Sequence, residues 1–192
     1  MQIPYLIYTR AISYACLGIY DTAYSDYMYV YNMDASVSNT FPMINYNIGY
    51  HLAVLDKPDS AIIFLNRELM QKHPYFNAYV WLSKCYVKKG NNTKALEIMN
   101  NALKKHPEEP LFYWQRGLVY MQQNNKDKAT LDFKKCLALE NNDGITYYDI
   151  AMFLYKNKPD KICSLLKHAI TLQIHDFETQ KKIEDYLNKN CK

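Results

Sequence analysis

The chain has 192 residues, 22% charged, 49% hydrophobic and 15% aromatic, which is apolar material enough for a folded core and too much for a disordered tail. Five glycines and seven prolines against 19 tyrosines and eight methionines argue against a glycine-rich nucleotide-binding protein, a turn-dense all-β fold or a low-complexity linker. The net charge of +4 is too mild and scattered to point to nucleic acid as a partner.

The sequence repeats. Small residues stand at Ala11, Gly49, Ser83, Gly117 and Ala151, at steps of 38, 34, 34 and 34. Ala23, Ala61, Ala95, Ala129 and Cys163 follow the same four steps. Large apolar residues keep the register at Tyr14, Leu52, Tyr86, Tyr120 and Leu154, and again at Tyr27, Leu65, Met99 and Phe133. In residues 76–109, Tyr79, Leu82 and Tyr86 line one face of a helix A. After the turn Lys89-Gly90-Asn91-Asn92, the residues Ala95, Ile98, Met99, Ala102 and Leu103 line a helix B. Two antiparallel helices approach closely only where small residues meet, and Ser83, Ala95 and Ala102 have that spacing.

This pattern resembles the tetratricopeptide repeat, a helical hairpin of 34 residues with small residues in both helices and a proline near its end. The resemblance implies an all-α fold, a right-handed α-solenoid of about five hairpins plus a C-terminal capping helix, forming a single domain over residues 1–192. In chain order the repeats fall at about 4–37, 42–75, 76–109, 110–143 and 144–172. The four extra residues between the first two are placed in the loop Asp34 to Thr40. The second repeat has Glu68 where a small residue is expected and a longer helix B, ended by His73-Pro74 as the third is by His106-Pro107. The fourth has Asn141 in place of the proline. The fifth has the turn Lys158-Pro159-Asp160 and a helix B, through Ile162, Leu166 and Ala169, whose register is open by one residue. A last helix at about 176–188 takes Asp176 as N-cap, turns Phe177, Ile183, Tyr186 and Leu187 inward and shields the last repeat.

In such proteins the A helices line a concave wall where ligands lie. The resemblance places Tyr5, Tyr8 and Ile12 on that wall, then Met43, Tyr46 and Tyr50, then Asn77, Val80, Lys84 and Lys88. It continues with Leu111, Trp114, Leu118 and Met121, and with Ile145, Tyr148, Met152 and Tyr155. A second apolar stripe on helices that already bury one implies a groove for an apolar or aromatic segment of a protein partner, with Lys84 and Lys88 favouring acidic flanks. The lysine, asparagine and arginine clamp by which chaperone-binding members hold a terminal carboxylate is not reproduced. Its places hold Tyr8, Ile12, Asn47, Asn77 and Trp81, so only the asparagine of the second repeat matches.

Residues 1–66 carry a net −3 and the remainder +7, and ten of the 19 tyrosines lie in the first 50 residues. A tyrosine-rich, lysine-poor end is what an association surface looks like, so self-association as a homodimer, or docking of a preceding domain, through the N-terminal repeats is expected. The alternative is a structural segment of a larger assembly or longer chain. The lysine pairs Lys88-Lys89, Lys104-Lys105, Lys134-Lys135 and Lys181-Lys182 stand near helix ends and read as solvated faces complementing helix dipoles.

No enzyme chemistry is expected. His51, His73, His106, His168 and His175 show no metal-ligand spacing, and there is no nucleophile elbow, phosphate loop or carboxylate pair, so neither metal nor cofactor is anticipated. Cys16, Cys85, Cys136, Cys163 and Cys191 form no CxxC pair. Cys136 and Cys163 sit at small-residue places as packing residues. That usage, with no run of roughly 18 to 20 apolar residues and no signal sequence, points to a soluble chain in a reducing, cytoplasmic setting.

Overall fold

The computed structural model describes residues 2–33, 37–139, 143–172, 174 and 176–191, and its repeat is plainest in the turns. Gly18, Asp56, Gly90 and Asn124 have φ of 74°, 60°, 74° and 56°, the left-handed region that glycine, asparagine and aspartate tolerate best. In each case the next residue donates its N–H back five residues: Ile19 to Tyr14 O (2.9 Å), Lys57 to Leu52 O (2.8 Å), Asn91 to Tyr86 O (2.8 Å) and Asn125 to Tyr120 O (2.9 Å). This is the glycine-type helix stop, and it satisfies a carbonyl that the helix end would otherwise orphan.

The turns join α1 (Gln2–Cys16) to α2 (Tyr20–Met33), α4 (Ile44–Val54) to α5 (Pro58–Leu69), α6 (Asn77–Lys88) to α7 (Asn92–Lys105), and α8 (Pro110–Gln122) to α9 (Lys126–Ala138). Two of the B helices are capped alike, Asn91 Oδ1 accepting from Lys94 N (3.0 Å) and Asn125 Oδ1 from Lys128 N (3.3 Å). A fifth hairpin, α10 (Gly144–Leu154) and α11 (Pro159–Ala169), precedes α12 (Phe177–Asn190). Among the described residues all regular structure is helical, with no strand, and no helix is long and apolar enough to cross a membrane. The fold is an all-α helical repeat.

The chain divides into two compact units, Met1–Ala102 and Leu103–Lys192. In the first, α1 packs on α2, α4 on α2 and α5, and α6 on α4 and α5. The small residues Ala11, Ala23 and Ala61 are fully buried, and Tyr27, Ile44, Ile48, Leu52 and Leu65 fill the core. A Cβ on Gly49 would stand 2.7 Å from Leu65 Cγ, so the small residue of α4 admits the large one of α5. Of the loop expected at Asp34–Thr40, residues 34–36 lie outside the described residues, and Val37–Thr40 form a four-residue helix, α3. The end of α5 corrects a second expectation. The helix stops at Leu69, ahead of His73-Pro74, because the chain folds back there: the buried Glu68 carboxylate accepts the Tyr75 N–H at 2.8 Å and also bonds the Tyr46 backbone in the first turn of α4. Glu68 thus serves a helix start that has no side-chain cap of its own.

In the second unit α8 packs on α9, α10 on α9 and α11, and α12 on α11. A Cβ on Gly117 would fall 2.5 Å from Phe133 Cε1, the counterpart of the Gly49 and Leu65 approach. The fifth hairpin departs from the others for a covalent reason. The residue that should donate to Leu154 O is Pro159, which has no N–H; Lys158 bonds Tyr155 O at 2.7 Å instead. Helix α11 therefore buries Ile162, Leu166 and Ala169, one residue earlier than a step of 34 from Ala129, Phe133 and Cys136, which settles the open register.

Asp176 caps α12 as expected, accepting from Thr179 N at 3.0 Å and Glu178 N at 3.3 Å. Ile183 is fully buried and Tyr186 and Leu187 half-buried against α11. Phe177, expected inward, is 80% exposed. It stands six residues before Ile183, which places it about 120° round a helix with about 3.6 residues per turn, off the buried stripe. Cys163 is also corrected: it is buried, but joined to Cys191 in a disulfide that ties the end of α12 to α11. Cysteine usage therefore does not argue for a reducing setting. Cys136 is a buried free thiol, as a packing residue should be.

One recurring device was not anticipated. Arg10 grips Asp26 through Nε and Nη2, both at 2.7 Å, and Arg116 grips Asp132 in the same way at 2.8 and 2.7 Å. Each arginine stands one residue before the small residue of its A helix, and each aspartate one before the large residue of its B helix.

Candidate functional site

The A helices of the first unit, α1, α4 and α6, carry the wall residues read from the sequence between Tyr5 and Lys88. Tyr8 is half-buried, stacked on Phe41 (centroids 4.6 Å apart) and edge-on to Tyr27 (5.4 Å). Its hydroxyl accepts from Asn47 Nδ2 at 2.9 Å, and burial holds its pKa above the usual tyrosine value. Tyr46 stands edge-on to Tyr75 (4.6 Å) and stacks at 6.1 Å on Tyr50, which meets Trp81 edge-on at 4.7 Å. The Tyr46 hydroxyl accepts from the Trp81 indole and the Asn77 side chain, and Asn77 Nδ2 donates to the Tyr75 hydroxyl at 3.1 Å. Burial raises the Tyr46 hydroxyl and pushes Tyr50 up to about 12. The Lys84 ammonium lies 4.4 Å from the Trp81 ring centroid.

These contacts make a cross-braced aromatic ladder. Asn47, the one match to the carboxylate clamp, is spent on Tyr8. Lys88 pairs with Asp56 at 2.5 Å. Val80, which spacing assigns to the wall, is 3% exposed and belongs to the core. What the ladder leaves open is apolar: Tyr5 is 61% exposed, Ile12 41% and Met43 38%. Phe41, buried beneath this surface, and Tyr75 were missed because they lie outside the A helices, and Trp81 was noted only as a clamp place. Tyr75 adjoins Phe76 in the sequence, whereas Phe41 stands alone between Thr40 and Pro42.

In the second unit the wall residues are less open. Leu111, Leu118 and Met121 are half-buried on α8. Trp114 is 7% exposed and packs with Ala129, Phe133, Cys136 and Ile150, so it is part of the core. On α10, Tyr148, Met152 and Tyr155 are half-buried against the cluster around Leu166 and Ile183, and Lys161 stands 5.3 Å from the Tyr155 centroid.

Residues 77–109 and 110–143 each match a family model described as tetratricopeptide repeat. No curated protein matches the chain. Among solved structures, a thermophilic tetratricopeptide-repeat protein of Thermus thermophilus is 21% identical, with a TM-score of 0.75 over 96% of this chain and 99% of its own. A tetratricopeptide-repeat protein of Parabacteroides merdae is 18% identical, with a TM-score of 0.62 over 98% of this chain and 75% of its own. A chain of the APC/C hetero-tetramer Cut9–Hcn1 is 18% identical, with a TM-score of 0.69 over 95% of this chain and 36% of its own. The hairpin geometry and the shared fold make this chain an all-α helical repeat, in which residues 77–143 match the tetratricopeptide repeat.

Proposed function

We propose that the chain is a non-catalytic interaction scaffold whose first unit docks an apolar or aromatic segment of a partner protein on the A-helix wall. Tetratricopeptide repeats generally mediate protein–protein interaction. The observation that carries the finer reading is the exposure of Tyr5, Ile12 and Met43 beside a ladder whose tyrosine hydroxyls are already held by Asn47, Asn77 and Trp81. A pre-braced aromatic surface loses little side-chain entropy on binding, and apolar positions at its edge gain from being covered. A photo-crosslinker at Met43 should trap a partner peptide in cells, and Tyr5→Asp with Ile12→Asp should abolish the adduct while leaving helicity intact. Adducts confined to the chain's own residues would refute the reading.

A second reading is self-association, or a structural place in a larger assembly, through the first hairpin. Ile3, Leu6, Leu17, Ile19, Tyr29 and Met33 there are each at least 45% exposed, more apolar surface than isolated exposed side chains explain. Sedimentation at micromolar concentration with and without Leu6→Glu and Leu17→Glu separates the two readings: a dimer dissolved by the glutamates supports this one, and a strict monomer excludes self-association.

A further inference from the structure

A separate cavity of about 670 Å³ in the second unit is ringed by lysine. It opens at the turn where the fifth hairpin departs from the repeat. Lys126, Thr130 and Lys134 line it from α9, at a spacing of four residues that puts all three on one helix face. Lys156 and Lys158 enter from the α10–α11 turn and Lys161 from the first turns of α11. The end of α10 lies between them with Met152, Phe153, Leu154 and Tyr155.

Among the described residues no aspartate or glutamate lines the cavity, and none of these five lysines is in an ion pair. Some cations elsewhere in the chain are paired locally, Lys88 with Asp56, Lys94 with Glu97 and Lys182 with Glu178, whereas these five converge on one opening. The carbonyl end of α10 accounts for one or two lysines by its dipole. It does not account for five, because like charges held around one opening repel until an anion enters.

We infer that this cavity binds an acidic segment of a partner protein, its carboxylates against the lysines and one apolar or aromatic side chain against Phe153 and Tyr155. Lysine alone would suit any compact anion. The apolar floor decides for a ligand that carries a greasy group among its charges, and a small inorganic anion has nothing to place there. The flexible ammonium stems adapt to carboxylates at varied spacing, whereas a planar arginine fork would demand one geometry. This goes beyond the reading of the first unit and does not depend on it.

The probe is a short fluorescein-labelled peptide of glutamates around a central tryptophan, followed by anisotropy at low salt. It should bind, weaken as salt shortens the screening length to about 10 Å and below, and lose about tenfold or more in affinity in the triple variant Lys134→Gln, Lys158→Gln, Lys161→Gln. Replacing the central tryptophan by serine should cost at least about fivefold. The control variant Lys167→Gln, Lys181→Gln, Lys189→Gln, matched in charge and outside the cavity, should bind like wild type, and circular dichroism should show both variants folded. Absence of binding, or equal loss in both variants, overturns the inference. So does equal affinity for the serine peptide, or displacement by inorganic tripolyphosphate at matching concentration, either of which would make the site one for simple anions. None of these outcomes bears on the aromatic wall of the first unit.

Discussion

The closest helix approach in the second unit offers a direct test of how the hairpins are built. In Gly117→Ala the new Cβ would stand 2.5, 2.8 and 3.1 Å from Cε1, Cδ1 and Cζ of Phe133, where carbon atoms normally keep about 3.5–4.0 Å. Phe133 cannot swing aside. It is fully buried, with Phe153 edge-on at 5.2 Å, so the helices must part by several tenths of an ångström or more. Overpacking of this kind costs about 1–3 kcal/mol, and two approaches under 3 Å to a rigid ring put it at the upper end. Alanine returns about 1 kcal/mol through its better helix propensity. The net expectation is a loss of about 2 kcal/mol, roughly thirtyfold in the folding equilibrium. The assay is urea unfolding followed by Trp114, which shares the Phe133 cluster, in a Trp81→Phe background that leaves Trp114 the sole indole. Adding Phe133→Met, the residue type that Met99 supplies opposite Ser83 in the third repeat, should restore much of the loss. A neutral or stabilising Gly117→Ala would refute the close-approach argument, and failure of the methionine to rescue would show that the ring is not what the Cβ strikes.

Arg116→Met should cost about 2–4 kcal/mol, because it strands Asp132, 6% exposed, without its counter-charge. Arg10→Met should cost distinctly less, since the Arg10 side chain is 58% exposed against 20% for Arg116; equal losses in denaturant titrations would contradict the burial argument. Burial raises the Glu68 pKa above its ordinary 4.5, so the native state favours its protonated form and stability falls as pH rises from 4.5 through the raised value. Glu68→Gln keeps an acceptor for the Tyr75 N–H and should therefore gain stability over wild type with rising pH. That difference isolates Glu68 from His51, whose burial-lowered pKa gives a slope of opposite sign below 6.5; thermal melts that track wild type at every pH would reject the assignment. The Cys163–Cys191 bond closes a span of 28 residues, worth about 3–4 kcal/mol in the chain-entropy account. Denatured protein should show three reactive thiols without reductant and five with it, and Cys191→Ser should melt the second unit earlier; five thiols in both cases would rule the bond out.

The hairpins were legible because each is stamped by side-chain size, and size is what helix packing reads. Ala11, Gly49, Ser83, Gly117 and Ala151 mark the approach, and Tyr27, Leu65, Met99 and Phe133 what fills it. Backbone chemistry was harder to see. The left-handed residues Gly18, Asp56, Gly90 and Asn124 share no single type, and the break at Pro159 acts by removing a hydrogen and not by adding a shape. Burial was legible only where it followed helix phase. Glu68 seemed a defect because its partners, the backbones of Tyr75 and Tyr46, leave no trace in residue identity. Phe177 was placed by hydrophobicity against its own phase. On the wall, the exposure of Tyr5, Ile12 and Met43 agrees with the periodic reading, whereas Trp114 and Val80 went to the core because an A helix turns into its neighbours over more than one stripe. The Cys163–Cys191 pairing could not be read from spacing, because it depends on where α12 returns.

The paired arginine and aspartate of the first and fourth hairpins bear on how such a chain can evolve. The same two places hold Ile48 and Phe64 in the second hairpin and Leu82 and Ile98 in the third, so either a charged or a greasy couple satisfies the scaffold. The passage between them is guarded, because one codon changed alone leaves a lone carboxylate or guanidinium facing hydrocarbon. These sites should consequently drift in tandem among descendants of the duplicated unit, and grafting a hairpin between repeats should succeed only when both members travel together.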